Sequence, residues 1–133
     1  MLTREKTERI AVKGLNVFGR ELLVCGTDPI TGFYRDGCCN TGLNDAGTHT
    51  VCAIVDERFL NFSKSRGNDL TRDIPEYNFK GLKEGDRWCL CVSRWLEAYR
   101  SGSAPKIILE ATHLNTLQHI ELAELEKFSA DSP

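Results

Sequence analysis

Apolar positions fall in short runs broken by glycine, and their spacing predicts a small mixed α and β fold. From Ile10 to Cys25, apolar and polar residues alternate on either side of Gly19, the pattern of two short strands joined by a turn. The run Val51-Cys52-Ala53-Ile54-Val55 predicts a buried strand. Asp56 follows as an N-cap, its carboxylate placed to accept the free amides of a first helical turn. Phe59, Leu60 and Phe62 give that helix an apolar side, and Gly67 supplies a stop. Residues 68–83 read as loop, punctuated by Pro75 and Gly81.

Trp88, Cys91, Val92, Trp95 and Tyr99 then recur at helical spacing and predict one helix over about residues 87–101, opened by Asp86 and closed by Gly102. In a helix Cys89 and Cys91 point about 200° apart, whereas a strand would put them on one face. Lys106 to Thr112 predicts a strand, Leu117 to Ile120 a short partner, and Leu122, Leu125 and Phe128 a final helix. The sum is an α+β domain: a small mixed or antiparallel sheet with about three helices packed on one face. It occupies residues 10–128, leaving 1–9 and 129–133 as flexible termini.

Between the first two strand regions, Gly26, Gly32, Gly37, Gly42 and Gly47 recur at intervals of five or six, filled by Asp, Asn, Thr and Pro29. That composition predicts a succession of turns rather than helix or strand. Irregular segments of more than about 12–15 residues are uncommon in compact domains and are usually functional or disordered. Phe33, Tyr34, Cys38 and Cys39 argue for order. Residues 26–52 are therefore read as a long ordered Gly-rich loop and as the seat of function.

Composition narrows the classes of partner. Seventeen basic and nineteen acidic side chains give a formal charge of -2, and Asp69 and Asp73 interrupt the densest basic group, Lys64, Arg66 and Arg72. Such a chain lacks the basic surplus of a nucleic-acid binder. The longest apolar run is five residues, far short of the ~20 that span a bilayer, so no membrane association is expected. Residues 1–9 are too charged for an export signal. The reading is cytoplasmic, with the six cysteines expected as reduced thiols, most of them small buried hydrophobes.

Several motifs together resemble one family. Thr27-Asp28-Pro29-Ile30-Thr31-Gly32-Phe33-Tyr34-Arg35-Asp36-Gly37-Cys38-Cys39-Asn40-Thr41-Gly42 is similar to the opening signature of the family catalogued as domain of unknown function 2237, small proteins of bacteria and plants. His49-Thr50-Val51-Cys52-Ala53, Phe62 to Leu70, Gly85 to Cys91, and Ala104-Pro105 leading to Ala111-Thr112-His113 extend the resemblance over roughly residues 14–128. Lys83-Glu84-Gly85 departs from it, where the family tends to place proline before the glycine. The resemblance implies the domain boundaries and an intracellular setting; it supplies no catalytic residue.

Three function classes stay open. The first is a small intracellular ligand- or metal-binding domain. Its metal candidates are Cys38, Cys39, His49 and Cys52, with Cys25 or His113 able to complete a site, and zinc is the ion such donors suit. Adjacent cysteines rather than paired knuckles weigh against it. For a small molecule, Asp28, Arg35, Asp36 and Asp45 offer polar contacts around Phe33 and Tyr34. The second class is a thiol-dependent enzyme using Cys38 or Cys39 with His49, since an imidazole or cation beside a cysteine favours the thiolate. The third is a structural or interaction protein, in which Asp28 and Asp45 merely cap turns and the glycines hold left-handed backbone.

Overall fold

A computed structural model of the chain describes residues 14–130. The expected leader, the start of the first strand at Ile10 and residues 131–133 lie outside the described residues. Three strands, β1 (Val51–Ile54), β2 (Arg87–Leu90) and β3 (Lys106–Ile107), form an antiparallel sheet in the order β2-β1-β3. Three helices, α1 (Glu57–Ser65), α2 (Val92–Arg100) and α3 (Leu122–Glu126), complete a small α+β fold. No helix among the described residues is long and apolar enough to cross a membrane.

The register of β1 on β2 divides the buried residues between two faces. Val51 opposes Leu90 and Ala53 opposes Trp88, while Cys52 opposes Cys89. Because side chains alternate along a strand, the first two pairs face one way and the cysteine pair the other. The first face joins Phe59 and Leu60 of α1, Val92, Trp95 and Leu96 of α2, Leu125 of α3 and Ile107 of β3 in the main core. The opposite face is covered by Cys25 and Cys39 from the long loop, with Ala111 and Ile108, in a second small core. Helix α1 starts as expected: Asp56 Oδ1 accepts the Phe59 amide at 2.7 Å, and Gly67 (φ 87°) follows its end.

Three expectations are corrected. The helix predicted over 87–101 is a strand, Arg87–Leu90, followed by a helix, Val92–Arg100. Trp88, Cys89 and Leu90 are buried because they pair with β1 between two cores, and pairing overrides the helical spacing. Residues 117–120 are not a strand, since Leu114–Gln118 forms a 3-10 turn, and Leu109–Ala111 forms another where strand was expected. Around Gly19 (φ 76°) the turn exists, with its amide on the Asn16 carbonyl at 2.9 Å, yet the flanking strands reduce to single bridges, Leu15 to Glu21 and Asn16 to His113.

The cysteines also depart from expectation. Cys25 is bonded to Cys52 and Cys39 to Cys89. Cys38 and Cys91 are outside disulfides, the first buried and the second half-buried.

Candidate functional site

Residues 41–50 form consecutive turns that deliver one histidine to the start of α2. The Asp45 amide donates to the Gly42 carbonyl at 3.0 Å, and the Thr48 amide to the Asp45 carbonyl at 3.1 Å. Thr48 adopts a left-handed conformation (φ 50°), unusual for a β-branched residue and costly unless its surroundings hold it. They do: its carbonyl accepts the Thr50 amide at 2.9 Å and the Val92 amide at 3.0 Å. The second of these bonds fastens the His49 turn to the first residue of α2, immediately beside Cys91.

Asp45 is buried and organises the turn. Its Oδ2 accepts the His49 amide at 2.8 Å and the Thr41 hydroxyl at 3.1 Å, while Oδ1 pairs with His49 Nδ1 at 2.6 Å. Burial pushes the Asp45 carboxyl up, but the bonds from the His49 amide and ring and from Thr41 outweigh it, and the net displacement is downward. With Nδ1 on Asp45, the other side of the ring borders the Cys91 sulfur, since a single point beside Gly47 lies close to both Nε2 and Sγ. The hydrogen bond to Cys91 is the largest influence on His49; Asp45 adds to it, burial opposes it, and the imidazolium is pushed up to about 9. The ring is thus charged at neutral pH, between a buried carboxylate and a sulfur.

Gly47 closes the arrangement from above. A Cβ there would lie 2.7 Å from His49 Cε1, 3.2 Å from Nε2 and 3.0 Å from Cys91 Sγ, so only glycine leaves sulfur and ring side by side. Phe33 stacks on the imidazole (centroids 5.9 Å apart, planes at 21°), and Tyr34 meets Phe33 edge-on at 5.1 Å. Phe33 and Tyr34 are exposed, making an apolar rim beside a polar centre. Cys91 is the N-cap of α2, but its side chain accepts no capping bond. Its sulfur sits at the positive end of the helix, where anions are favoured.

The sequence candidates distribute as follows. His49 and Asp45 meet directly, and the thiol they meet is Cys91 rather than Cys38 or Cys39. Cys39 and Cys52 lie in disulfides within the second core, which includes neither Cys38 nor His49. Asp36 is a turn residue whose Oδ1 accepts the Cys38 amide at 3.0 Å. Asp28 and Arg35 line a different place, a groove of about 490 Å³ shared with Tyr77, Phe79, Lys80 and Lys83. His113, lowered by burial, accepts the Asn115 amide through Nδ1 at 3.0 Å and shapes a 3-10 turn. Cys91 escaped sequence reasoning because a helix reading placed it in the core stripe. The signal was the alternative: a strand ending at Leu90 makes Cys91 the residue just before a helix.

Over residues 15–129 the sequence matches the family described as "Uncharacterized protein conserved in bacteria (DUF2237)". The chain belongs to the DUF2237 family. A search of curated proteins gives no match. The DUF2237 match spans all three segments that build the site: the Phe33–Tyr34 stretch, the Asp45–His49 turns and the start of α2.

Proposed function

We propose that this DUF2237 protein is a thiol-dependent enzyme of the acyl-transfer or hydrolase type, with Cys91 as nucleophile, His49 as its acid-base partner and Asp45 as the residue that orients His49. One observation carries the reading: a buried carboxylate is bonded to one nitrogen of the His49 ring, and the ring lies beside the Cys91 sulfur at a helix start. This is the nucleophile, base and orienting-acid logic of covalent catalysis, recognised by geometry and roles.

The steps balance as written. The Cys91 thiolate attacks a carbonyl carbon, forming a C–S bond while the C=O π pair moves to oxygen. The Ser93 and Arg94 amides, which in the first turn of α2 have no intrahelical carbonyl, are the groups placed to stabilise that oxyanion. Collapse expels the leaving group, which takes the proton from His49 Nε2. Water then attacks the acyl-Cys91, His49 recovers a proton from it, and the C–S bond breaks to return thiolate and imidazolium. Asp45 holds the ring through Nδ1 throughout and supports its positive charge. The rim of Phe33 and Tyr34 favours substrates with an apolar acyl portion.

A panel of activated acyl esters and thioesters of increasing chain length tests the reading, followed by intact-mass and peptide analysis after acid quench. A single acyl group on Cys91, absent in Cys91→Ser and slowed at least 100-fold in His49→Gln, is the expected result. No Cys91 adduct with any member of the panel, or acylation indifferent to His49→Gln, contradicts it.

The Asp28–Arg35 groove supports a second reading, small-ligand binding without chemistry. Arg35, Lys80 and Lys83 outnumber Asp28 and Asp86 there, which suits an anionic ligand. Retained binding of such a ligand by Cys91→Ser, together with no acylation of the parent protein, would favour it.

A further inference from the structure

We infer that Cys25, Cys39, Cys52 and Cys89, once their two disulfides are reduced, form a four-thiolate site for a soft divalent metal, zinc being the best match. The sulfurs of Cys25, Cys39 and Cys89 lie within 4.8 Å of one another, and that of Cys52 is bonded to Cys25. Zinc takes four thiolates at about 2.3 Å, which places them about 3.8 Å apart at the corners of a tetrahedron. Reduction frees the two bonded pairs to part by about 1.8 Å each, and the sulfurs of Cys25, Cys39 and Cys89 already lie within about an ångström of the longest separation that arrangement needs.

Backbone bonding explains why the four converge. Cys52 and Cys89 face each other across β1 and β2, but their amides are bonded elsewhere, to the Thr112 hydroxyl at 3.1 Å and the Thr31 hydroxyl at 2.8 Å. They form the pair without mutual hydrogen bonds, in which side chains of neighbouring strands come closest. Cys25 and Cys39 are brought over them by Gly37 (φ 88°), whose carbonyl accepts the amides of Cys25 at 2.7 Å and Gly26 at 3.1 Å. Two donors from strands and two from one loop therefore close around a common centre. All four side chains are at most 2% exposed, and among the described residues no carboxylate or imidazole joins the group of donor atoms within 4.8 Å of one another.

The chemistry needs a reductant of stated class. A phosphine reduces each disulfide with one water, giving two thiols and a phosphine oxide; phosphorus loses two electrons and each sulfur gains one. Binding of M²⁺ then forms four M–S bonds and releases four protons, because the ligands must be deprotonated. The centre ties both flanks of the long loop to the strand that leads into Cys91. It nevertheless uses none of the residues of the proposed acyl-transfer site, and either reading stands without the other.

The full chain, reduced with a phosphine under anaerobic conditions, is titrated with Co²⁺ and then with Zn²⁺. The expected result is one Co²⁺ per chain, with thiolate-to-cobalt charge-transfer absorption and the visible bands of tetrahedral cobalt. Zn²⁺ displaces it, binding with a Kd below about 1 µM. Cys91→Ser leaves the spectrum unchanged, and Cys25→Ser abolishes it. Because Cys25 is fully buried and its substitution also perturbs the core, zinc protection is read in parallel on the parent chain: Cys25, Cys39, Cys52 and Cys89 resist alkylation while Cys91 reacts. Failure of the reduced chain to bind either ion, equal binding by the oxidised chain, or loss of the cobalt spectrum in Cys91→Ser overturns the proposal.

Discussion

Replacing Cys91 with alanine should lower the affinity of His49 for its proton while leaving the fold intact. The ring is held up to about 9 from its ordinary 6.5, and the hydrogen bond to Cys91 is the largest cause, ahead of Asp45. Its removal should therefore bring the midpoint down by at least one pH unit, worth about 1.4 kcal/mol. A larger figure is not warranted, because a third of the His49 side chain meets solvent and screening trims such energies. The sign for stability follows directly. A raised folded-state value means that His49 stabilises the native chain fully below about pH 6.5, and that this contribution is lost as pH rises through 9. In Cys91→Ala the contribution is smaller and is gone at a lower pH. Proton NMR of the imidazole Cε1–H signals against pH measures this, with His49→Gln assigning the resonance among His49, His113 and His119. A parent midpoint near 6.5, or the same midpoint in parent and Cys91→Ala, would refute the sulfur–imidazole contact.

Three further outcomes are expected. Gly47→Ala should cut Cys91 reactivity at least tenfold with little change in Tm, because the added methyl would press on both His49 and Cys91; parental reactivity would show that the two are not in contact. Trp95→Ala should cost about 3–5 kcal/mol in chemical denaturation. Its ring is fully buried, stacks on Tyr99, meets Phe128 edge-on and donates to the Pro105 carbonyl at 3.2 Å, so a cost below about 1 kcal/mol would contradict its place in the core. Substituting Cys39 and Cys89 together by alanine should cost about 2–5 kcal/mol under oxidising, metal-free conditions, as expected for opening a cross-link between residues 50 apart; an unchanged unfolding midpoint would contradict that bond.

Much of the fold was legible because local chemistry and tertiary structure agreed. The apolar run at Val51, the Asp56 cap and the Leu122–Leu125 spacing each specify one element, and each is present. The segment from Arg87 to Trp95 was misread because its apolar residues satisfy helical spacing and a two-sided buried strand equally well. Only pairing with β1, a non-local interaction, decides between them. The candidate site shows the same division. His49 and Asp45 are four residues apart, and their association was within reach of sequence reasoning. Cys91 lies 42 residues beyond His49, joined to it through the Thr48–Val92 backbone bond. No periodicity reports such a bond. The disulfides were equally hidden, since cysteine spacing does not reveal which loop cysteine crosses to which strand.

The central claim, that His49 and Asp45 serve Cys91 as an activated nucleophile, is tested most directly by the pH dependence of Cys91 alkylation by iodoacetamide, followed by peptide mapping. The account predicts that Cys91 reacts first among the cysteines. Its rate below pH 7 should exceed that of an ordinary exposed thiol at least tenfold and fall to the ordinary value in His49→Gln. A rate that rises only above about pH 8, as for an unassisted thiol, and is the same in His49→Gln would contradict it.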